Sequence, residues 1–281
     1  MEYDNTLVID KTIIITGASD GIGAAAARQL KAMGANVVIV GRSPERTKAI
    51  AEELGAKYYL ADFSKLSEVR KLAEDLKRDY KTIDVLANNA GGIFGKRQLT
   101  KDGHELTVQV NHLAPFLLTN LLMDVLVSSN ATVINTSSVA NKILSKFDIN
   151  DLENEKNYSP ESAYGNAKLE NILFTKELNK KYFDSGISTA SFHPGNVATS
   201  FSKESTSFIR YVYKTFLRKL ILISPEKGAD TLVWLASTTP GKDWEPGEYY
   251  VKRKASSRVD ATANDEEIAD ELWKWSAKAV A

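Results

Sequence analysis

Cysteine is absent from the 281 residues, which excludes disulfides, thiolate metal sites and thiol nucleophiles. Histidine is scarce, and His104, His112 and His193 are too scattered to form a ligand-like cluster. Neither sign of charge is in excess, because 36 Lys plus Arg balance 36 Asp plus Glu. With no long basic block, nucleic acid held through phosphate contacts is not expected. No run of 18 apolar residues occurs, so no spanning helix is expected. Met1 to Asp10 is polar and lacks an apolar signal core, and a soluble, cytoplasmic protein is the default expectation. Without a secretion signal, the sequon-like triplets at Asn130, Asn135 and Asn157 carry little, and Asn135 falls in a predicted buried strand.

What the chain does contain is an alternation of short apolar runs with longer amphipathic stretches. Thr12–Thr16, Asn36–Val40, Lys57–Leu60, Ile83–Ala87, Thr132–Asn135 and Ile187–Phe192 read as strands, several rich in Val and Ile. Helical patterns cover Gly21–Met33, Pro44–Leu54, Leu66–Tyr80, a long stretch from about Asp102 to Val127, and Ser162–Tyr182. Near-continuous apolar strands separated by helices imply a parallel sheet covered on both faces. Right-handed crossovers then give a doubly wound, Rossmann-type α/β fold. No repeat, low-complexity tract or linker interrupts residues 1–281, so a single domain is expected.

The first strand runs directly into Thr16-Gly17-Ala18-Ser19-Asp20-Gly21-Ile22-Gly23, and a helix follows. Glycine supplies positive φ and close backbone approach there. Amides at the start of the helix would face a pyrophosphate, assisted by the helix dipole. A glycine-rich segment alone can be a bare turn, but its place between first strand and first helix suits a dinucleotide. The second strand ends Val40-Gly41-Arg42, where an NAD site usually carries an acidic residue. The fork-shaped, permanently charged Arg42, with Ser43 and Arg46 nearby, suits a 2′-phosphate instead, which predicts NADP(H).

Tyr164-Gly165-Asn166-Ala167-Lys168 places a phenol and an ammonium on one helix face. A free phenol has a pKa of about 10, and a nearby ammonium favours the phenolate. Alone, such a pair is usually surface decoration. Ser137 and Ser138, however, end the fifth strand at the carboxyl edge where these sheets bind ligands, and a hydroxyl there can donate to a carbonyl oxygen as charge develops. Asn88-Asn89-Ala90-Gly91 ends the fourth strand, where small residues permit close approach. Asn111 lies inside the long helical pattern.

Together these residues resemble the short-chain dehydrogenase/reductase family over nearly the whole chain. The likeness rests on T-G-A-S-D-G-I-G at 16–23, N-N-A-G at 88–91, Asn111, Ser138, Y-G-N-A-K at 164–168 and H-P-G-N-V-A-T at 193–199. Within the family the chain is similar to the retinol-dehydrogenase-like branch, through V-N-H-L-A-P-F-L-L-T-N-L-L at 110–122, S-S-V-A at 137–140, S-P-E-K-G-A at 224–229 and the long interval between Ser138 and Tyr164. The resemblance implies Tyr164 as general acid and base, Ser138 as the carbonyl-polarising hydroxyl with Ser137 as fallback, Lys168 on the ribose, and Asn111 anchoring a water in a proton path. It also implies cofactor contacts from Gly17, Ser19, Asp20, Gly21, Ile22, Gly23, Arg42, Arg46, Asp62, Phe63, Asn89, Ala90, Gly91, Pro194, Gly195, Val197 and Thr199, with no metal. His193 reads as structural.

Between Thr199 and Pro225, aromatic and aliphatic residues such as Phe208, Tyr211 and Phe216 interleave with Lys203, Arg210 and Lys214. In the family this region forms a lid, here at about 200–224. An amphipathic surface on lipid or an ordinary packed helix are the competing readings. The expected substrate is a small hydrophobic aldehyde, ketone or alcohol. The rival function is a non-catalytic cofactor-binding regulator or scaffold on the same fold. Relatives often pair through the helices carrying Asn111 and Tyr164, so a homodimer or homotetramer is expected.

Overall fold

A computed structural model describes residues 8–156, 158–195 and 223–281. Asn157, Val197, Thr199 and all of the expected lid before Ile223 lie outside the described residues.

Isoleucines and valines alternate across β1 (Thr12–Thr16) and β2 (Asn36–Gly41), and strand periodicity sends neighbours to opposite faces. Ile13 and Ile15 join one buried cluster with α1 (Gly21–Ala32) and α9 (Pro225–Ser237). Ile14, between them, joins the opposite cluster with α3 (Leu66–Asp79), α5 (Ala114–Leu121) and Phe174 of α8 (Pro160–Tyr182). The other strands are β3 (Lys57–Leu60), β4 (Val85–Asn88), β5 (Thr132–Thr136), β6 (Ser188–His193), β7 (Tyr249–Val251) and β8 (Lys254–Ala255). Their order is β3-β2-β1-β4-β5-β6-β7-β8, parallel throughout except for β8. The sheet is thus mixed where a purely parallel one was expected. After β1 the chain winds outward through β2 and β3, then returns to place β4 on the other side of β1. That reversal opens a crevice at the carboxyl ends of β1 and β4, where open α/β sheets bind ligands.

The expected strands and α2 (Pro44–Leu54) are present, with ends shifted by one or two residues. The long helix expected from Asp102 to Val127 is not continuous. It resolves into α4 (Leu106–Val108), a π-helical turn (Gln109–Leu113), α5 and α6 (Met123–Ser128). Pro115 has no N–H, so the Asn111 carbonyl lacks the donor four residues ahead that an α-helix would supply, and a widened turn sits there.

The C-terminal helix α10 (Glu266–Ala279) starts on Asp265, whose carboxylate accepts from the Glu267 and Ile268 amides at 3.0 and 3.1 Å. Trp273 packs edge-on against Phe116 and tilted against Phe174, with ring centroids 5.0 and 5.8 Å apart. Such aromatic pairs are worth about 1 kcal/mol each beyond area burial. His112 reaches the Ser276 hydroxyl at 2.7 Å. This helix therefore covers, within one chain, part of α5 and α8. Among the described residues no helix is long and apolar enough to cross a membrane.

Candidate active site

The crevice is built by two turns packed against each other. Thr16, the last residue of β1, accepts from the Asn89 and Ala90 amides at 2.9 and 3.0 Å and donates to the Ala87 carbonyl. The Asn89 side-chain Nδ2 donates to the Thr16 carbonyl at 2.9 Å. A Cβ on Gly17, which holds φ +66°, would lie 2.8 Å from Ala90 Cα. One on Gly23 would lie 2.5 Å from the Gly17 carbonyl oxygen. Only glycine permits this closeness, and it leaves a backbone-lined cradle at the start of α1. Asp20 caps that helix by accepting from the Gly21 amide at 2.7 Å, while Ser19 and Ile22 flank the turn partly exposed. The Asn88 side chain points the other way, into the core, toward Thr119 and Asn135.

The π turn presents Asn111 beneath this cradle. Its amide donates to the Gly92 and Thr107 carbonyls, both at 2.9 Å, and its oxygen accepts from the Gly92 amide at 3.1 Å. The side chain thereby ties the Gly92 backbone to α4. Four residues ahead, Pro115 has no N–H to offer the Asn111 backbone carbonyl.

At the end of β5 the two serines separate. Ser137 is buried and donates to the Lys168 carbonyl at 2.6 Å, which ties β5 to α8. Ser138 is partly exposed, and its hydroxyl accepts from the Ala140 amide at 3.2 Å. With that lone pair engaged, its proton is left to be donated. The chain then enters α7 (Ala140–Ile143), which lies directly on α8. A Cβ on Gly165 would come within 2.5 Å of the Ser145 nitrogen and 2.7 Å of the Leu144 carbonyl carbon. Both are backbone atoms that cannot swing aside. Gly165→Ala is therefore expected to push α7 off α8, lowering Tm by several degrees and turnover about tenfold or more. Thermal unfolding and steady-state rates check both.

The helix carrying Tyr164 and Lys168 begins at Pro160, two residues earlier than expected, because Ser159 and Ser162 form a reciprocal capping box. The long interval before it is anchored rather than loose. Asn166 accepts from Ser145 and from the Lys146 amide and donates to Asn154, and Arg97 donates to the Glu153 and Asn154 carbonyls. Tyr164 is nearly buried with Ile93, Ala140 and Leu144 around it. The Lys168 ammonium lies 5.3 Å from the Tyr164 ring centre and donates to the Thr136 carbonyl at 3.1 Å. A Cβ on Gly91 would meet Asn111 Oδ1 at 2.5 Å and Lys168 Nζ at 3.3 Å, so Asn111, Gly91 and Lys168 share one corner. Lys168 is 2% exposed, and that burial pushes its amine down to about 7.

The remaining expected residues line the crevice rim. Arg42 and Arg46 are exposed after β2, with Arg46 paired to Asp20 at 3.2 Å. Gly41 stands where an acidic residue was sought, and a Cβ there would fall 2.4 Å from Thr47 Oγ1 and 2.9 Å from Ser19 Cβ. Asp62 accepts from the Ser64 amide and hydroxyl, while the Phe63 ring is buried in the core and leaves only its backbone near the rim. Pro194 and Gly195, the latter at φ +88°, follow β6 at the same edge. Sequence reasoning missed Asn141 and Asn171. It also missed the task of His193, whose ring nitrogen accepts from the Val139 amide at 3.4 Å. Burial and nearby Lys252 push His193 down to about 4, so it is neutral. No group of three or more possible metal ligands occurs among the described residues.

A cradle after β1, small residues after β4 and a Ser, Tyr and Lys at the carboxyl edge define a class of nucleotide-dependent oxidoreductase, and the chain belongs to the short chain dehydrogenases, whose family model matches residues 11–209. It falls in the retinol-dehydrogenase-like branch. It is 35% identical to retinol dehydrogenase 11 of Homo sapiens, over 94% of this chain and 83% of that one. It is 41% identical to the protein described as "Putative daunorubicin C-13 ketoreductase DnrU" of Streptomyces sp. (strain C5), over 96% of this chain and 92% of that one. A crystal structure of an uncharacterized protein from Mycobacterium Paratuberculosis superposes with a TM-score of 0.78 at 28% identity, covering 100% of this chain and 98% of that one. The protein is an oxidoreductase, and its family uses nicotinamide cofactors.

Proposed function

We propose that this chain is an NADP(H)-dependent oxidoreductase that interconverts a carbonyl and an alcohol on a small hydrophobic substrate. The observation that carries the reading is the buried Lys168 ammonium beside the Tyr164 ring, at the corner shared with Asn111 and Gly91.

The turn through Gly17, Gly21 and Gly23 fits a pyrophosphate, because Gly17 and Gly21 hold φ +66° and +56° and glycine backbone opens α1. A nicotinamide nucleotide, when bound, supplies or accepts the hydride. Asn89, Ala90 and Gly91 would take its middle, Asp62 and Phe63 the adenine side, and Pro194, Gly195, Val197 and Thr199 the carboxamide side. In reduction, Tyr164 gives its proton to the carbonyl oxygen, and in oxidation it takes the proton back. Ser138 donates to that same oxygen as negative charge grows on it. Lys168 favours the phenolate and holds the ribose. Asn111, whose backbone carbonyl receives no N–H from Pro115, anchors a water that connects Lys168 to solvent as a proton path.

The preference for the phosphorylated cofactor is supported by Arg42 and by the crowding at Gly41, which leaves no room for an acidic side chain. Arg42→Ala is expected to weaken NADPH about 10- to 100-fold while leaving NADH almost unchanged, as fluorescence titration of the two nucleotides will read. Equal affinities in the unsubstituted protein would refute the preference.

The substrate class is supported by the apolar side chains of residues 200–224 and by the relatives' names, which give retinol and the C-13 keto group of daunorubicin, an alcohol and a ketone. The reading carries no nucleic acid and places the protein in the cytoplasm. The reading includes a homodimer or homotetramer, since relatives often pair through the helices carrying Asn111 and Tyr164. The testing experiment is a panel of aromatic, aliphatic and retinoid aldehydes, ketones and alcohols, followed through NADPH absorbance. Turnover of any member supports the reading, and a protein that binds NADPH tightly but turns over none is the regulatory alternative.

A further inference from the structure

Ser138 sits on a short, partly exposed turn, and its hydroxyl must hold one direction to serve a carbonyl. The groups that hold the turn come from far along the chain. Asn141, three residues later, is fully buried, and its amide nitrogen donates to the Ser138 carbonyl at 2.5 Å. Its amide oxygen accepts from the backbone N–H of Asp260 at 3.1 Å, across 119 residues. The Tyr249 hydroxyl of β7, itself buried, lies beside the same amide. On the other side His193, at the end of β6, accepts from the Val139 amide. Residues 138 and 139 are thus gripped from both sides, and Asn141 joins the turn to the C-terminal segment through both ends of its amide.

We infer that Asn141 is a positioning residue for the reaction, a clamp through which residues 249–264 fix the direction of the Ser138 hydroxyl. The inference rests on Ser138 acting as the carbonyl-polarising group. Asn141 is fully buried, so it acts through Ser138 rather than on the reactants. Its amide must donate at one end and accept at the other, a demand that asparagine meets at this reach and that aspartate, leucine and alanine do not. A carboxylate at 141 would keep the bond from Asp260 but set negative charge against the Ser138 carbonyl.

Asn141→Asp is expected to lower kcat about 30-fold with NADPH as reductant and 4-nitrobenzaldehyde as carbonyl, because small misplacements of a reacting group carry penalties of this order. KM and the NADPH dissociation constant should stay within about twofold. The far anchor is tested by Asp260→Pro, which suits the backbone there (φ −58°, ψ 146°) and deletes the N–H. Asp260→Ala loses only the side-chain cap on Thr262, so the difference between these two variants reads the N–H itself.

Hydrogen exchange supplies a measurement independent of turnover. The Val139 and Ala140 amides should exchange about tenfold faster in Asn141→Asp and Asp260→Pro while β1 and β4 are unchanged. Unaltered exchange at 139 and 140 overturns the clamp, as does an unaltered kcat in Asn141→Asp. Tyr164→Phe separates the two readings: if it is inactive while Asn141→Asp is fully active, the clamp fails and the catalytic assignment stands. If Tyr164→Phe is fully active, the catalytic assignment fails, and exchange alone decides whether Asn141 grips the turn.

Discussion

Tyr164→Phe should bind NADPH as tightly as the unsubstituted protein and turn over at least about 10³-fold more slowly on any carbonyl it accepts. The ring packs with Ile93, Ala140 and Leu144, contacts that phenylalanine keeps. Removing one oxygen therefore deletes the proton donor without opening a cavity. Fluorescence titration and steady-state rates measured on one preparation separate the two quantities. A variant that turns over at near the original rate would remove the phenol from the reaction and leave the site with no acid of suitable reach.

Lys168→Met should be as damaging to turnover and yet make the nucleotide-free protein more stable. The amine is 2% exposed, and burial lowers it from the lysine range to about 7. Between that value and about 10.5 the unfolded chain holds a proton that the folded chain gives up, so folding is disfavoured as pH falls through this window. The penalty is complete below pH 7 and vanishes as pH rises toward 10.5. Methionine has similar length and no charge. The Thr136 carbonyl keeps a donor in Asn171 at 3.1 Å, so the substitution orphans nothing there. The expected gain is about 2–4 kcal/mol at pH 6.5, shrinking toward zero near pH 10. Denaturant unfolding at the two pH values reads it. A variant less stable than the original at pH 6.5 would mean that the ammonium is solvated or paired after all.

Much of this site could be read from the chain because its parts are local. Gly17 to Gly23, Asn88 to Gly91, and Tyr164 with Lys168 are each contiguous or one helical turn apart, and the apolar runs of β1, β2 and β5 mark where the sheet must place them. What was hidden depends on partners far away in sequence. Asn141 and Asp260 are joined only by the fold, and neither carries a local pattern. The break at Gln109–Leu113 was masked because V-N-H-L-A-P-F-L-L keeps helical apolar spacing straight through it; the one signal was Pro115. β7 and β8 escaped notice because their hairpin turns on Lys252 and Arg253 at φ +51° and +60°, residues that announce no turn. Resemblance alone sets Ser138 above Ser137 in the sequence; burial separates them physically, with Ser137 buried on the Lys168 carbonyl and Ser138 partly exposed.

Pro115 contributes through what it cannot do. At the first turn of α5 a proline is tolerated at little cost, and an alanine there would look like a simple improvement. It would also return an N–H to the Asn111 carbonyl, letting the widened turn close into ordinary helix. On the proposed proton route, that repair would seal the port by which Tyr164 is recharged after each cycle. On that route, local helix preference and repeated turnover make opposite demands on position 115.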